Sequence, residues 1–514
     1  MLNAVGRELP EQIPGYGAVV PFQGAFANVG IARRKSVALR AVRPGENKQL
    51  ADIGAALDAA GLKDGMTLSF HHHLRNGDGV LNAVMAAVAA RGVRDLTLAV
   101  SSIFPVHAPL VPLMEAGVVT GLYTNYMSGP VARAVSAGLL QKPAVMMTHG
   151  GRPRAIESGD LPIDIAFIAA PTADPYGNCN GVFGPSACGA LGYAVADARY
   201  AACTVVITDN LVPFPASPAE ITQVDVDYVV AVPSIGDPAG IVSGTTRITR
   251  DPVGLKIARD AARVIEASGL LKDGLSFQTG AGGTSLAVAT ELKERMRAAG
   301  ITGSFAAGGV TGYIVDMLEE GLFEAILDVQ CFDLRAVQSY RDNPRHLPMD
   351  ASMYANPHNK GAVVNRLDVM ILGATEIDLD FNVNVTTGSD GVIIGGSGGH
   401  SDTAAGSKLT IIVTNLVKAR LPILKRQVTT VTTPGETVDV LVTERGIAVN
   451  PRRTDLLEAL KAAGLPVLTL PELLALAEGM TGLPAPVPTG DKIVAVVEYR
   501  DGTVIDVVRQ AVVD

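Results

Sequence analysis

The sequence GLKDGMTLSF at 61–70 returns as GLLKDGLSF at 269–277. Leu62-Lys63-Asp64-Gly65 matches Leu271-Lys272-Asp273-Gly274 at an offset of 209 (271 − 62). DPYGNCN at 174–180 matches DLDFNVN at 378–384, both reading D-x-x-x-N-x-N, at an offset of 204 (378 − 174). TVVITDN at 204–210 then matches TIIVTN from 410, offset 206 (410 − 204). Three matches in one order, at nearly one offset, predict two copies of one folding unit. A chain of 514 residues has room for both.

Each copy reads as α/β. Apolar runs recur at MTLSF 66–70, LTLAV 96–100, AVMMT 144–148, IDIAFIAA 163–170 and TVVIT 204–208, with helical segments between several of them. That alternation predicts βαβ units and an open, mainly parallel sheet. The chain has no Trp and only 4% aromatics, so its core is built from Ala, Val, Ile and Leu, which suits buried parallel strands. A helix is expected over 251–269, with Asp251 as cap, Pro252 in the first turn and Val253, Ile257, Ala261, Val264 and Ile265 on one apolar face. The expected division is an N-terminal arm over 1–45, with a basic patch at Arg33-Arg34-Lys35, a first domain over 46–225 and a second over 226–514. The second ends in a hairpin, KIVAVVEYRDGTVIDVVRQ at 492–510, turning at Arg-Asp-Gly.

A net charge of −9 argues against nucleic acid as a partner. Cys179, Cys188, Cys203 and Cys331 show no CxxC spacing and read as buried thiols of a reducing compartment. No signal-like segment and no apolar run of roughly 18 residues is found, so a cytoplasmic protein is expected.

Candidate chemistry gathers at strand ends. His71, His72 and His73 follow the run MTLSF, and Arg75 stands two residues on. Open α/β sheets bind ligands at the carboxyl ends of their strands. No spacing of the His-x3-His kind supports a metal, so none is expected. Anion binding or proton transfer fits better, against the plainer reading of one satisfied core imidazole in a histidine-rich loop. A second constellation is Gly395-Gly396-Ser397-Gly398-Gly399, which can turn several N–H groups toward an anion, with His400 opening a helix behind it. It is neither a P-loop nor GxGxxG. The run Lys418, Arg420, Lys425, Arg426 reads as a solvated basic face or as a dock for an acidic partner.

Seven stretches carry a resemblance: SFHHHLRNGD at 69–78, PTADPYGNCNGVFGPSACG at 171–189, QCFDLRA at 330–336, YANPHNKGA at 354–362, EIDLDFNVNV at 376–385, GGHSDTAAG at 398–406 and VDVLVTERGIAVNPRR at 438–453. Together they resemble the citrate lyase alpha chain family, within the CoA-transferase superfamily. The resemblance implies two tandem CoA-transferase-like (NagB/RpiA-type) domains. It also implies exchange of acetate for citrate on a thioester. The thiol would belong to a phosphoribosyl-dephospho-CoA arm on an acyl-carrier (gamma) subunit, with CoA thioesters as surrogates. A beta (citryl lyase) subunit would cleave the product, within a homo-oligomeric complex. No cofactor would be covalently bound to this chain.

On that basis the residues acquire expected roles. Citrate is highly anionic, so His71, His72, His73 and Arg75 form the expected grip, with Lys408 and Arg445 as further citrate-binding candidates. Gly395, Gly396, Gly398, Gly399, His400, Asn382 and Asn384 are expected to contact the CoA-like arm. Many CoA-transferases use a glutamate nucleophile ahead of a helix like V-V-D-L-I-E-x-G. Here the helix reads IVDMLEEG at 314–321, and the glutamate's position falls on Gly308, followed by Gly309. Exchange without a covalent glutamyl thioester is therefore expected. The competing readings are a free-standing CoA-transferase for a small carboxylate and a metabolite sensor. The sensor would need a helix-turn-helix segment that the sequence does not show.

Overall fold

The computed structural model describes residues 1–27, 45–242 and 247–512. The basic patch expected at 33–35 lies outside them. The strands that build the two large sheets are, in chain order, β1 (Gln49–Leu50), β2 (Thr67–Phe70), β3 (Leu96–Val100), β4 (Val119–Thr124), β5 (Ala144–Met146), β6 (Ile165–Ala169), β7 (Cys203–Thr208) and β8 (Tyr228–Ala231). They continue as β9 (Ser276–Thr279), β10 (Gly303–Val310), β11 (Phe323–Cys331), β12 (His346–Pro348), β13 (Val369–Leu372), β14 (Leu409–Val413), β15 (Val440–Val442), β16 (Ile447–Val449), β17 (Thr489–Glu498) and β18 (Val504–Ala511). All five apolar runs became strands. β6 and β7 are buried along their whole length, as β-branched and apolar runs covered on both faces must be.

The first sheet runs β18-β17-β5-β4-β3-β2-β6-β7-β8-β1, and the second β12-β11-β10-β9-β13-β14-β15-β16. From β5 to β8 in the first and β12 to β15 in the second, every neighbouring pair is parallel. Over those seven strands, the second order is the first shifted by seven labels.

Two boundaries differ from expectation. The break at 225 would cut off β8, which pairs in parallel with β7 and belongs to the first sheet. The C-terminal hairpin forms as expected, but β17 pairs with β5, so it extends the first sheet and not the second. The N-terminal residues pack on that hairpin. Asn3 Nδ2 donates to the Ile505 carbonyl at 2.6 Å, and Phe22 meets Tyr499 edge to face at 4.7 Å.

The helix expected over 251–269 spans Pro252–Ala267. The Asp251 carboxylate accepts from the Val253 and Gly254 amides, and Ile257, Ala261, Val264 and Ile265 are buried. Such a cap stabilises by about 1 kcal/mol, and each fully buried Ile or Val adds roughly 1.5–3 kcal/mol. All four cysteines are free and buried. Among the described residues no helix is long and apolar enough to cross a membrane.

Candidate active site

The carboxyl ends of β9, β10 and β13 open onto a cavity of about 510 Å³. Its walls include Gln278, the loop Thr279–Gly282, Gly309, Phe332, Tyr354, Leu372–Thr375, Gly396, Ser397, Gly399 and His400. His149 and Tyr193, from the segments that follow β5 and β6 of the first sheet, complete it. The cavity therefore lies between the two sheets. None of its described lining residues is Asp, Glu, Lys or Arg.

The histidine triad stands directly behind this wall. His71, His72 and His73 are buried at the carboxyl end of β2. His72 stacks on Tyr193 at 4.7 Å between ring centroids, and Tyr193 meets His149 at 4.5 Å. His72 Nδ1 lies 2.5 Å from the Ser101 hydroxyl. Its carbonyl accepts from Gln330 Nε2 at 2.8 Å, a bond between the two sheets. Beneath the triad, Asp197 accepts from both terminal nitrogens of Arg152 at 2.6 Å, with His71 Nδ1 at 3.9 Å.

The electrostatics correct one expectation. Burial draws the His71 pKa down to about 4 and that of His149 to about 3. His72 and His73 also lie well below the ordinary imidazole value, through burial first and then the neighbouring histidines, Arg75 and Arg152. Burial thus favours the neutral form of all three imidazoles over the cationic grip expected. Arg75 is the cation of the group. It has φ +52, and its guanidinium lies 4.6 Å from the Phe332 ring centroid and 5.5 Å from that of Phe104. Phe332 is a cavity wall, so Arg75 lies one aromatic ring from the cavity.

Gly308 and Gly309, near the end of β10, flank an irregularity in its pairing with β11. Gly308 has φ +103, and a Cβ there would stand 2.3 Å from Gln278 Nε2. At Gly309 a Cβ would stand 2.1 Å from the Phe332 ring. The left-handed φ of Gly308 strains any side chain there, and at Gly309 the Phe332 ring would have to move to admit one. Gln278 takes the space at Gly308, and its Nε2 donates to the Tyr354 hydroxyl at 2.7 Å.

The glycine loop serves two purposes. Gly396 and Gly399 face the cavity. The Gly395 amide donates to the Thr386 carbonyl, and the Gly398 amide to the Asn125 carbonyl of the first sheet's half, so neither is available to an anion. His400 borders the cavity with both ring nitrogens bonded: Nε2 donates to the Gly373 carbonyl at 2.9 Å and Nδ1 accepts from the Thr433 hydroxyl at 2.7 Å. Burial draws its pKa down to about 4.

Four further candidates are placed elsewhere. Asn384 sits in a small antiparallel ribbon, Glu376–Ile377 against Val383–Asn384, and Asn382 immediately precedes it. Asn382 Oδ1 accepts from the Gly435 amide, and its Nδ2 donates to Asp378. Asn384 bonds Glu376, Thr386 and Thr387. The repeated D-x-x-x-N-x-N is thus a turn device: Asp174 and Asp378 accept from the amides that follow each. Lys408 precedes β14, at the opposite end of the strands from the cavity, and pairs with Asp368 at 2.7 Å. Arg445 is exposed in the turn between β15 and β16. Neither lines the cavity.

Sequence reasoning missed His149, Tyr193, Gln278, Phe332, Tyr354 and the loop Thr279–Gly282. The loop carried a signal. QTGAGG follows a strand and opens the helix Gly283–Ala299, whose N-cap Gly282 supplies no side chain, so the first-turn amides remain available to an anion. Among the described residues, the side chains grouped closely enough to hold a metal are Asp328, Cys331 and His346. They are bonded to one another and do not include the triad.

This arrangement of sheets recurs in a malonate decarboxylase alpha subunit from Acinetobacter baumannii, at 17% identity and a TM-score of 0.63 over 85% of this chain and 90% of that one. The likeness defines the fold class: α/β with mainly parallel sheets. Within it, the chain belongs to the citrate lyase alpha subunit family, whose model matches residues 46–511. It is 50% identical over 458 residues to the citrate lyase alpha chain of Klebsiella pneumoniae, covering 89% of this chain and 90% of that protein. It also superposes on an alpha subunit of citrate lyase from Streptococcus mutans, solved in complex with citrate, with a TM-score of 0.96 and 47% identity over 99% and 100% of the two chains.

Proposed function

We propose that the cavity exchanges acetate for citrate on an acyl-carrier thioester, giving a citryl thioester and free acetate. The thiol belongs to a CoA-like arm on a gamma subunit, and a beta subunit cleaves the product. The two sheets are read as tandem copies of one domain, because seven strands of each share one order under a shift of seven. The site between them uses both copies.

The observation that supports the mechanism is a glycine at position 308, with a φ that strains any side chain, beside a cavity with no carboxylate among its described lining residues. Without a carboxylate nucleophile among the described wall residues, a carboxylate oxygen of citrate attacks the acetyl carbonyl and expels the thiolate. The mixed anhydride stays bound. The thiolate then attacks the citryl carbonyl and releases acetate, and no net proton is exchanged. Holding both partners together lowers the barrier by proximity. In this reading the first-turn amides after Gly282 and those of Gly396 and Gly399 meet the developing oxyanion, where one donor is typically worth about 3–4 kcal/mol. Arg75 supplies charge toward citrate, and the neutral imidazoles supply hydrogen bonds.

The test is acyl exchange by the assembled enzyme, with labelled acetyl thioester and citrate. Release of labelled acetate only when citrate is present supports the reading. Equal release with acetate or hydroxybutyrate as acceptor replaces it with a free-standing CoA-transferase.

A further inference from the structure

The basic run Lys418, Arg420, Lys425, Arg426 divides in two. Lys425 is nearly buried and paired with Glu376, and Arg426 grips Glu478 through bonds of 3.0 and 3.1 Å. Lys418 and Arg420 are exposed and form no ion pair among the described residues. They stand at the tip of a hairpin, Val417–Lys418 against Leu421–Pro422.

The tip is strained. Ala419 and Arg420 have φ +51 and +66. Two successive left-handed residues are the turn that matches strand twist, and Asn-Gly or Gly-Gly ordinarily fill it, because a Cβ there crowds the carbonyl. Keeping an arginine in that place is a cost to the turn that presents a cation outward, and strain of this kind persists where a function holds it. Leu421 beside it is 43% exposed. The result is a basic and apolar finger on a chain of net charge −9.

Its position is informative. The hairpin leaves the carboxyl end of β14, the neighbour of β13, whose following residues Gly373–Thr375 line the cavity. Leu424, two residues past the hairpin, bridges to Ile377 in the ribbon that continues from Thr375. Finger and cavity therefore share one end of the sheet. Two cations in water hold a small ion weakly, but against an opposed acidic face they steer and orient a protein.

We propose that Lys418, Arg420 and Leu421 dock an acidic face of the carrier protein that brings the thioester, holding it at the rim while its arm enters the cavity. This rests on the proposed function. The experiment compares wild type with the K418E/R420E variant, using acetyl thioester on the acyl-carrier subunit and, in parallel, acetyl-CoA. The carrier's Kd is measured separately by titration.

With the carrier, kcat/KM should fall about 10-fold or more through KM, Kd should rise in step, and both effects should shrink near 0.5 M salt, as screened charges require. With acetyl-CoA, activity should be unchanged. K418A/R420A, which keeps Leu421 and adds no charge, should show a smaller change in the same direction. Equal loss on both thioesters, or a carrier Kd that neither variant alters, overturns the docking surface. Wild-type protein that binds the carrier yet exchanges no acetate contradicts the proposed function instead, since the Kd comparison still reads docking.

Discussion

Arg75 and the histidines look alike in sequence, as one polar cluster, but the structure separates their roles. Arg75 keeps its charge although half-buried, because a guanidinium does not give up its proton in proteins. Arg75→Ala should raise KM for citrate about 10-fold or more, the loss of a charge-assisted bond, and leave KM for the thioester nearly unchanged. Equal rises in both constants would make the loop structural. The imidazoles carry a different signature. The unfolded chain protonates a histidine near the ordinary value of about 6.5, whereas the fold resists protonation of His149 down to about 3. Its folded pKa is lowered, so unfolding takes up a proton between those limits. Stability from this group is complete above 6.5 and is lost as pH falls toward 3. His149→Gln should flatten the acid side of a urea-stability profile by up to about 1.4 kcal/mol per pH unit. An unchanged slope would mean that the imidazole is charged in the folded protein.

At the scale of elements, the turn after β5 and the helix His400–Gly406 are held together by one carboxylate. Asp402 accepts from the Thr148 hydroxyl and the Gly150 amide at 2.9 Å, with Arg500 of the C-terminal hairpin at 3.4 Å. Burial pushes its pKa up to about 6, against the pull of Arg500. Arg500→Ala should therefore destabilise by about 3 kcal/mol, the usual cost of leaving a buried charge without its partner, seen as a lower urea midpoint. A change within 0.5 kcal/mol, the ordinary range of a surface substitution, would show that the hairpin does not clasp the seam. Elements of this kind mark the limit of what the sequence discloses. The strands were legible because apolar runs and turn formers are local signals. The partner of β17 was not, since Ala495 pairs with Ala144 through contacts that leave no mark near either residue. The N-x-N motif misled for a related reason. Polar residues that close a turn and polar residues that hold a ligand have the same composition, and only the bonds to Asp378 and Gly435 tell them apart.

For the whole molecule, the site depends on both sheets meeting. The triad and Gly308 were visible as singular features of the sequence. His149, Tyr193 and Tyr354 were not, because each becomes part of a site only when the other half packs against it. The central claim is that this joint cavity transfers the acyl group without taking it onto the protein. The direct measurement is borohydride reduction of the enzyme in the presence of acetyl thioester and absence of citrate, followed by peptide mass mapping and assay of the remaining exchange activity. The account predicts full activity and no modified carboxylate, with sequential kinetics in untreated enzyme. Thioester-dependent inactivation, with a reduced side chain mapped to any Glu or Asp of this chain, would contradict it.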